Sequence, residues 1–495
     1  MRTVLIISII GWCSFAPLAG ATDVPAGDVF GQWTPLGSPY RILGDITVPA
    51  GQQLTLLPGV DVIFQGDYRL TALGTIQANG SAVNPVQFRA LSGNWAGVRL
   101  ENTMQLSQFH YCRIEDAAIA INSVNSPVRI ENCEFWDNTK AIHVFGVGNA
   151  TPPPVTIRHC HIENCQQNGI FIVENSNTLI DSCEITQCAL DQAPRGAIQI
   201  SNQSPNGSCN PTIRGSHIHH NVWQGITAFD VTGQGNIAPL VEGNRIEYNY
   251  TGVYLLYASG EFRENQIQHN FQAGNPNSGA GVMVGGNTSE PLFVRNVITG
   301  NFTGFYFVNG ASANLGDLVN DYPGDDGENH IFGNVDPDGD VWSVYNDSVA
   351  DIMAENNRWD SEDFEEIALT IFDHNDDASK GTVDFDPIFD GGVGVEPVQV
   401  TTTPQVTQLL GNYPNPFNPR TTIHFQISEA DAGQPVQLRL YDVQGRLQKT
   451  LLDHQSFGAG QYQLSVEASD LPSGTYLYRF VCGQTQISRM MTVLK

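Results

Sequence analysis

Between Phe109 and Val308 the sequence repeats a short pattern eight times. Each repeat has a landmark residue followed two positions later by Ile or Phe. The landmarks are Cys112, Cys133, Cys160, Cys183, Ser216, Asn244, Asn265 and Asn296, with a ninth echo at Asn329. Consecutive landmarks lie 21 to 33 residues apart. Self-similarity on this scale is typical of a solenoid, in which similar units stack along one axis.

The apolar positions inside each repeat indicate which secondary structure the units adopt. Apolar residues recur three positions before each landmark, and a second apolar stretch follows a small residue later in the repeat, as in Ile170/Ile172 and Val253/Leu255. This spacing of two predicts short strands, whereas helical repeats would show spacings of three and four. Stacked coils about 4.8 Å apart would share one core. We therefore predict an all-β fold, a parallel solenoid.

Cys in the earlier repeats and Asn in the later ones occupy equivalent positions and should form ladders along the stack. Asn tolerates left-handed turn conformations, and its amide can bond the backbone or the next Asn. Cys at the same place packs as a small apolar residue. Neighbours such as Cys133 and Cys160 could also come within disulfide reach. We favour buried thiols, and a ladder along an axis is a poor arrangement for zinc.

The charge balance excludes several classes of partner. The formal net charge is -28, and the chain has only four lysines, Lys140, Lys380, Lys449 and Lys495. Phosphate contacts need clustered Lys and Arg, so we expect no nucleic acid as a partner. Anionic membranes are disfavoured for the same reason. The acidity favours solubility outside the cell or, as an alternative, recruitment of divalent cations.

The N-terminus has the features of a secretory signal. Residues 1–21 contain a basic start at Arg2, an apolar run from Val4, and a small-residue cleavage site at Ala19-Gly20-Ala21. The run is too short to span a bilayer. We find no other hydrophobic segment of spanning length, so we expect no transmembrane segment after signal removal and an exported mature chain.

Two segments resemble the ends of known solenoids. After a lead-in over residues 22–45, the strand-like stretch from Ile46 to Phe64 is similar to the entry segment of secreted right-handed parallel β-helix proteins of the pectin-lyase-like kind. The segment from Asn357 to Ile388, with a short acidic helix predicted over Ser361 to Asp373, resembles their end cap. The resemblance implies a β-helix with caps over residues 46–390.

The C-terminus resembles a different family. A linker over residues 391–408 precedes Asn412-Tyr-Pro-Asn-Pro-Phe-Asn-Pro-Arg-Thr-Thr-Ile423, and later matches include Leu440-Tyr-Asp-Val-Gln-Gly-Arg446 and Pro472-Ser-Gly-Thr-Tyr476. These motifs resemble the type A C-terminal sorting domain of the type IX secretion system, over residues 409–495. Strand alternation independently suggests a small β-sandwich. The resemblance implies the translocon and sorting machinery as partners, and secretion or surface display by a Gram-negative-type bacterium.

Loop insertions flank the outer face of the second strand of each repeat, so we expect a groove there. Its candidate ligand-binding residues are Phe171, Thr227, Phe229, Tyr254, Tyr257 and Tyr306. Outward aromatic rings are costly in water unless they are covered. Either they stack on the sugars of an elongated chain, or the flanking loops fold over and bury them.

Candidates for catalysis and metal binding are weaker. Glu174 and Asp230 lie at the groove edge two coils apart, near the separation of an inverting glycosidase. The acidic loop with Asp336, Asp338 and Asp340 could bind Ca²⁺, but it lacks the spacing of an EF-hand, and a solvated loop is the simpler interpretation. The histidines near His217, His219 and His220 are more often surface residues than ligands. We expect no cofactor, with Ca²⁺ as the one alternative.

Two functions remain open on the sequence. The first is an exported protein that binds glycan or polysaccharide along the groove. The second is a polysaccharide lyase or glycoside hydrolase of the pectin-lyase-like fold. We favour the first, because the chain has no pectate-lyase-like set of carboxylates and a base, nor the polygalacturonase motifs.

Overall fold

The computed structural model describes residues 20–146, 148, 151–175, 177–191, 195–205, 207–271, 279–319, 324–389, 395–398, 404–417, 420–468 and 471–494. The predicted signal segment over residues 1–21 therefore lies almost wholly outside the described residues. The chain divides into two compact units, with the boundary between Ile388 and Phe389. Each unit is described by itself.

The first unit winds through three long parallel sheets of 13, 14 and 11 strands, and the third sheet ends before the last coils. The first sheet contains Thr22–Val24, Tyr40–Ile42, Asp61–Phe64, Val86–Ala90, Cys112–Glu115, Glu134–Trp136, His161–Glu163, Glu184–Thr186, His217–His219, Arg245–Glu247, Gln266–Gln268, Val297–Thr299 and His330–Phe332. The second contains Gly27–Asp28, Ile46–Val48, Arg69–Ala72, Gly97–Glu101, Ile119–Val124, Lys140–Phe145, Ile170–Val173, Gly196–Ser201, Gln224–Phe229, Thr251–Leu256, Ala280–Gly285, Thr303–Val308, Val344–Asp347 and Ile371–Phe372. The third contains Gly31–Trp33, Gln53–Leu56, Thr75–Asn79, Ser107–His110, Val128–Glu131, Val155–Arg158, Thr178–Asp181, Thr212–Arg214, Leu240–Glu242, Glu261–Arg263 and Leu292–Val294.

The core lies between the three sheets, as the apolar spacing predicts. In the first sheet the residue two positions after each landmark points inward and is fully buried, and the strands pair in register so that Ile218, Ile246 and Ile267 stack in one column. No single coil could bury this surface alone, and stacking makes the apolar column continuous. The prediction of an all-β parallel solenoid is confirmed.

Asparagine side chains form two hydrogen-bonded ladders through the buried turns on either side of the first sheet. The side-chain oxygen of Asn265 accepts bonds from the backbone N–H and the side-chain amide of Asn244, at 3.0 Å each. The amide of Asn265 donates in turn to Asn296 and to the carbonyl of Val241. The second ladder follows the same rule from Asn221 to Asn334.

The prediction that the Asn amide bonds the backbone and the next Asn is confirmed, but the expected left-handed conformation at the Asn itself is wrong. The ladder residues do not adopt the left-handed conformation; the residue immediately before each of them does, as at Glu264 (φ 56°) and His269 (φ 53°) before Asn265 and Asn270. The left-handed residue makes the corner, and the following Asn supplies an acceptor and two donors to a buried turn whose backbone groups need partners.

The cysteines of the ladders are thiols. The eight described cysteines are all buried and form no disulfide. The sulfur of Cys133 accepts from the backbone N–H of Cys112 at 3.3 Å, so it takes the place that an Asn oxygen holds in later coils. Burial and the neighbouring thiol of Cys112 raise the pKa of Cys133 well above its usual range, which keeps it neutral.

The ends of the solenoid differ from the sequence predictions. Residues 22–45 supply the first strands of all three sheets and are not a separate lead-in, because Thr22–Val24 already pairs with Tyr40–Ile42. The predicted helix shortens to Phe364–Ala368, where Asp363 caps the backbone N–H groups of Glu365 and Glu366. Ile371, expected on the helix, instead begins the last strand of the second sheet. A two-stranded sheet of Ile352–Met353 and Val383–Asp384 completes this end.

The second unit has two antiparallel sheets around one hydrophobic core, as a small β-sandwich requires. One sheet contains Val395–Val398, Gln408–Tyr413, Arg420–Ile427 and Gly460–Glu467, and the other contains Pro435–Asp442, Leu447–Ser456, Gly474–Cys482 and Thr485–Val493. Part of the predicted linker over residues 391–408 is thus a strand of the sandwich. Asn415 of the Tyr-Pro-Asn-Pro motif accepts the backbone N–H of Thr492 at 2.9 Å, which ties the motif to the last strand.

Candidate functional site

The outward side chains of the second sheet form a continuous column, which we call the outer column. Its members pair in register from strand to strand. They are Asn122, His143, Phe171, Gln199, Thr227, Tyr254, Met283, Tyr306, Tyr345 and Phe372. Consecutive members are separated by one strand spacing, about 4.8 Å. The face therefore presents a row of side chains along the axis of the stack, and six of these ten side chains carry a ring.

Rings gather at the two ends of the outer column. At one end, His143 stacks on Phe171 with 5.1 Å between ring centroids, and the Lys140 ammonium lies 5.1 Å from the Phe171 centroid. At the other end, Tyr345 stacks on Phe372 at 4.4 Å and lies 5.4 Å from Tyr306. These contacts hold the rings in fixed orientations, so each offers a preformed apolar surface.

Two alternatives were open for the predicted ligand-binding rings, exposure along the groove or burial under the flanking loops, and the structure lies between them. Phe171, Tyr254 and Tyr306 are half-buried, so the described loops neither cover them fully nor leave them free. Burial raises the pKa values of Tyr254 and Tyr306. Parts of two flanking loops, residues 192–194 and 272–278, lie outside the described residues.

Thr227, Phe229 and Tyr257 lie near the middle of the same face. Thr227 is in the outer column and is only 7% exposed, whereas Phe229 lies on the same strand two residues further along. Tyr257 follows the next strand, and its ring covers Gly286, where any Cβ would meet the ring at 2.4 Å. The predicted residues are thus brought to one face.

Several buried polar atoms on this face have no hydrogen-bond partner among the described residues. They include both ring nitrogens of His143, Oγ1 of Thr227, Oε1 of Gln224 and Oδ1 of Asn122. Burial, with the nearby charges of Lys140 and Arg99, lowers the pKa of His143 to about 4, so its ring is neutral at pH 7. Buried polar groups normally find a partner, so these atoms have hydrogen-bonding capacity that the described residues do not use.

Charged groups on the face are paired with each other. Lys380 bonds to Asp347 at one end. Arg99 bonds to Glu101 at 3.1 Å, and Arg195 lies 3.0 Å from Asp191. These three cations are therefore paired with carboxylates, whereas the Lys140 ammonium lies against the Phe171 ring.

Glu174, a predicted catalytic candidate, anchors a loop. Its carboxylate accepts the backbone N–H of Gln203 at 2.7 Å and both the N–H and the hydroxyl of Ser204 at 2.6 Å. The residue is 6% exposed. All three bonds reach one oxygen, so the geometry gives Glu174 a structural role at the groove edge.

Asp230, the other candidate, organises the next loop in the same way. Its oxygens accept the N–H and hydroxyl of Thr232 and the N–H of Asn236. Burial alone would raise the pKa of Asp230, but these bonds hold it below its ordinary value. A general acid needs a raised pKa, and Asp230 has the opposite.

Replacement of Asp230 tests this role. We expect Asp230→Ala to lower the free energy of unfolding at pH 7 by about 1–3 kcal/mol, because three donors lose their acceptor. A carboxylate with a depressed folded-state pKa stabilises the fold above the unfolded value, about 3.9, and loses that effect as pH falls through the folded value. The difference from the parent protein, measured by urea unfolding, should therefore shrink below about pH 4. The exposed Asp67→Ala is the control, and an equal loss there would contradict the anchor role.

The predicted Ca²⁺ ligands do not converge in the structure. Asp336 accepts the backbone N–H groups of Asp338 and Asp340 within its own tight turn, and Val335 bridges to Val341 across it. Among the described residues, the side chains that bring three ligand atoms together are Glu184, His217 and His219, on the first sheet. The sequence analysis had considered His217 and His219 but not Glu184.

The sequence analysis did not identify the end of the outer column that contains Tyr345 and Phe372. Tyr345 and Phe372 continue it beyond Tyr306, but they follow the point where the repeat pattern degrades. The alternation in Val344-Tyr345-Asn346 was the available signal, because it places Tyr345 outward between buried neighbours.

Two family models match the chain. One, described as a right handed beta helix region, matches residues 96–267 and 141–317. The other, described as a secretion system C-terminal sorting domain, matches residues 412–493. No curated protein sequence matches the chain.

Solved structures similar to this chain share little sequence with it. The A-module of the mannuronan C-5 epimerase AlgE6 from Azotobacter vinelandii is 12% identical, with a TM-score of 0.30, covering 74% of this chain and 89% of that one. The enzymatically active domain of tailspike protein 2 from bacteriophage CBA120 is 12% identical, with a TM-score of 0.23, covering 96% of this chain and 72% of that one. Within the described part of the chain, the helices are all too short or too polar to cross a membrane.

Proposed function

This chain is a right-handed parallel β-helix protein with a type IX secretion system sorting domain, and we propose that it binds a neutral polysaccharide along the outer column. The sorting domain implies handling by the type IX machinery and delivery to the cell surface or the medium. Extended polymers are the ligands that a long face with rings at several points along its axis can contact repeatedly.

The observation that carries the proposal is the mixed chemistry of the outer column. Half-buried rings such as Phe171, Tyr254 and Tyr306 offer flat apolar surfaces, and unpaired polar atoms of His143 and Thr227 lie in the same column. A sugar ring has C–H faces and hydroxyl edges, so it can satisfy both kinds of group at once. Few other polymers offer this combination at every unit.

Charge favours a neutral ligand. The chain carries a net charge of -28, and three cations on this face, Arg99, Arg195 and Lys380, are engaged with carboxylates. A polyuronate would meet net repulsion at long range, because the chain itself is strongly negative. We therefore expect neutral glucans, mannans or xylans to bind more tightly than pectate or alginate.

Substitution of the rings tests the proposal. The exported protein is applied to a panel of neutral and acidic polysaccharides, and the best ligand is titrated by calorimetry. We expect Tyr254→Ala and Tyr306→Ala each to weaken binding about 10- to 30-fold, which corresponds to roughly 1.4–2 kcal/mol for a buried aromatic contact. Tyr248→Ala, which removes an exposed ring from the turn between the first and second sheets in the same coil, should leave affinity unchanged.

Two outcomes would contradict the binding proposal. If no polysaccharide on the panel bound, or if Tyr248→Ala weakened binding as much as Tyr254→Ala, the outer column would lose its role. Release of unsaturated or reducing ends from any polymer would instead favour the lyase or hydrolase alternative, especially if Glu174→Ala or Asp230→Ala abolished it.

A further inference from the structure

The outer face of the first sheet carries a patch of histidines and glutamates. Within the strand His217–His219, both histidines point outward because the residue between them, Ile218, is buried in the core. Glu184 on the preceding strand pairs in register with His217. Glu247 on the following strand pairs with His219. Three consecutive coils thus place nitrogen and oxygen ligands side by side.

Three of these side chains bring their ligand atoms into one small region. One ligand atom each from Glu184, His217 and His219 lies within 4.8 Å of the other two. The Nε2 atom of His219 is 3.2 Å from Oε1 of Glu184. Two ligands held 2.0–2.2 Å from a tetrahedral ion are roughly 3.4 Å apart, so this edge already has the length that coordination needs.

The rings of His217 and His219 are each oriented by a hydrogen-bond partner of their own. Nε2 of His217 is 2.9 Å from the Glu247 carboxylate, which leaves Nδ1 as the ligand atom. Nδ1 of His219 is 2.8 Å from Nδ1 of His220, which leaves Nε2. Metal-bound histidines usually have the second nitrogen bonded in this way, because the partner fixes the tautomer and the ring direction.

The carboxylates of Glu184 and Glu247 are also held in position by hydrogen bonds to neighbouring side chains. The second oxygen of Glu184 bonds Nδ1 of His161 at 2.9 Å, so its first oxygen faces His219. Glu247 is 3% exposed and is held by Arg245 and Gln268, besides His217. The Glu247–His217 pair therefore has a rigid, buried carboxylate behind the imidazole.

We propose that Glu184, His217 and His219 bind one divalent transition-metal ion of the zinc class, with Glu247, His220 and His161 positioning the ligands. Two imidazoles and one carboxylate suit Zn²⁺ and neighbouring first-row ions better than Ca²⁺ or Mg²⁺, which prefer all-oxygen sites. The Glu184 side chain is 48% exposed, so solvent completes the coordination sphere. The ion links the coil of Glu184 to the coil of His217 and His219, on a different sheet from the outer column.

Calorimetric titration with ZnCl₂ tests the site, on the exported protein purified without a polyhistidine tag. We expect one saturable Zn²⁺ per chain, and at least 100-fold weaker binding in His219→Ala and in Glu184→Gln. Glu247→Gln should weaken binding about 10- to 100-fold, the usual effect of a lost positioning partner. His330→Ala, in the same outward column of the sheet four strands away, should bind as tightly as the parent protein.

The absorption spectrum of bound Co²⁺ separates ligand loss from loss of fold. The parent protein and His330→Ala should show the intense visible bands of low-coordinate Co²⁺, and His219→Ala should lack them while keeping the same metal-free urea midpoint. Absence of a saturable site in the parent protein would overturn the proposal. So would equal Zn²⁺ affinity in the parent, His219→Ala and Glu184→Gln proteins.

Discussion

Asn265→Ala is expected to lower the free energy of unfolding by about 3–5 kcal/mol, a loss comparable to that from a large cavity in a core. The substitution removes an oxygen that serves two donors of Asn244, and an amide that serves Val241 and Asn296. Each buried group left without a partner costs about 1–3 kcal/mol. The neighbouring Asn residues cannot move to compensate, because each is already bonded to the next coil.

Urea unfolding of the exported protein measures this effect. Asn287→Ala is the matched control, because Asn287 is an exposed asparagine, and its replacement should change stability by no more than about 0.5 kcal/mol. Asn265→Asp retains the shape and the acceptor but loses the two donors, so it should also be strongly destabilising. Equal, small losses in Asn265→Ala and Asn287→Ala would show that the ladder contributes little.

Deletion of residues 404–495 is expected to abolish export and leave the β-helix in the periplasm. This segment includes the matched sorting region, and its strands form a compact unit with its own core. The β-helix core is built from residues up to Val383. The truncated protein should therefore retain the β-helix fold and lack only the sorting signal. Cell fractionation and surface proteolysis measure the location.

A fusion provides the reciprocal control for the deletion. Residues 391–495 attached to an unrelated periplasmic protein should carry that protein to the cell surface or the medium. Normal export of the truncated chain would contradict the role of the domain. So would retention of the fusion in cells that export the full-length protein.

Much of the β-helix could be predicted, because aligning the repeats shows which residues of neighbouring coils pair with each other. The position of Ile218 or Ile246 relative to its landmark fixed the inward column, and strand pairing follows once equivalent residues are aligned. The ends could not be predicted in the same way. Residues 22–45 lack the landmark, yet they enter the sheets because Val24 and Ile42 fill the same core. Ile371 matched a helical face, but pairing with Val344 placed it in a strand.

The candidate sites were less accessible to sequence reasoning. Aligning the repeats was enough to locate the outer column as far as Tyr306. It could not show that backbone N–H groups of the loops donate hydrogen bonds to the carboxylates of Glu174 and Asp230. Those bonds depend on loop conformations that no repeat encodes. The cluster at His219 was similarly hidden, because Glu184 is 35 residues away in sequence and becomes a neighbour only through strand pairing.

A crystal structure of the exported protein with the tightest-binding oligosaccharide would show whether the outer column is the polysaccharide-binding surface. We expect a sugar chain lying along the second sheet, with rings against Phe171, Tyr254 and Tyr306 and hydroxyl groups bonded to His143 and Thr227. An oligosaccharide bound on the first or third sheet, or at either end of the solenoid, with the outer column in contact with solvent alone, would contradict this expectation.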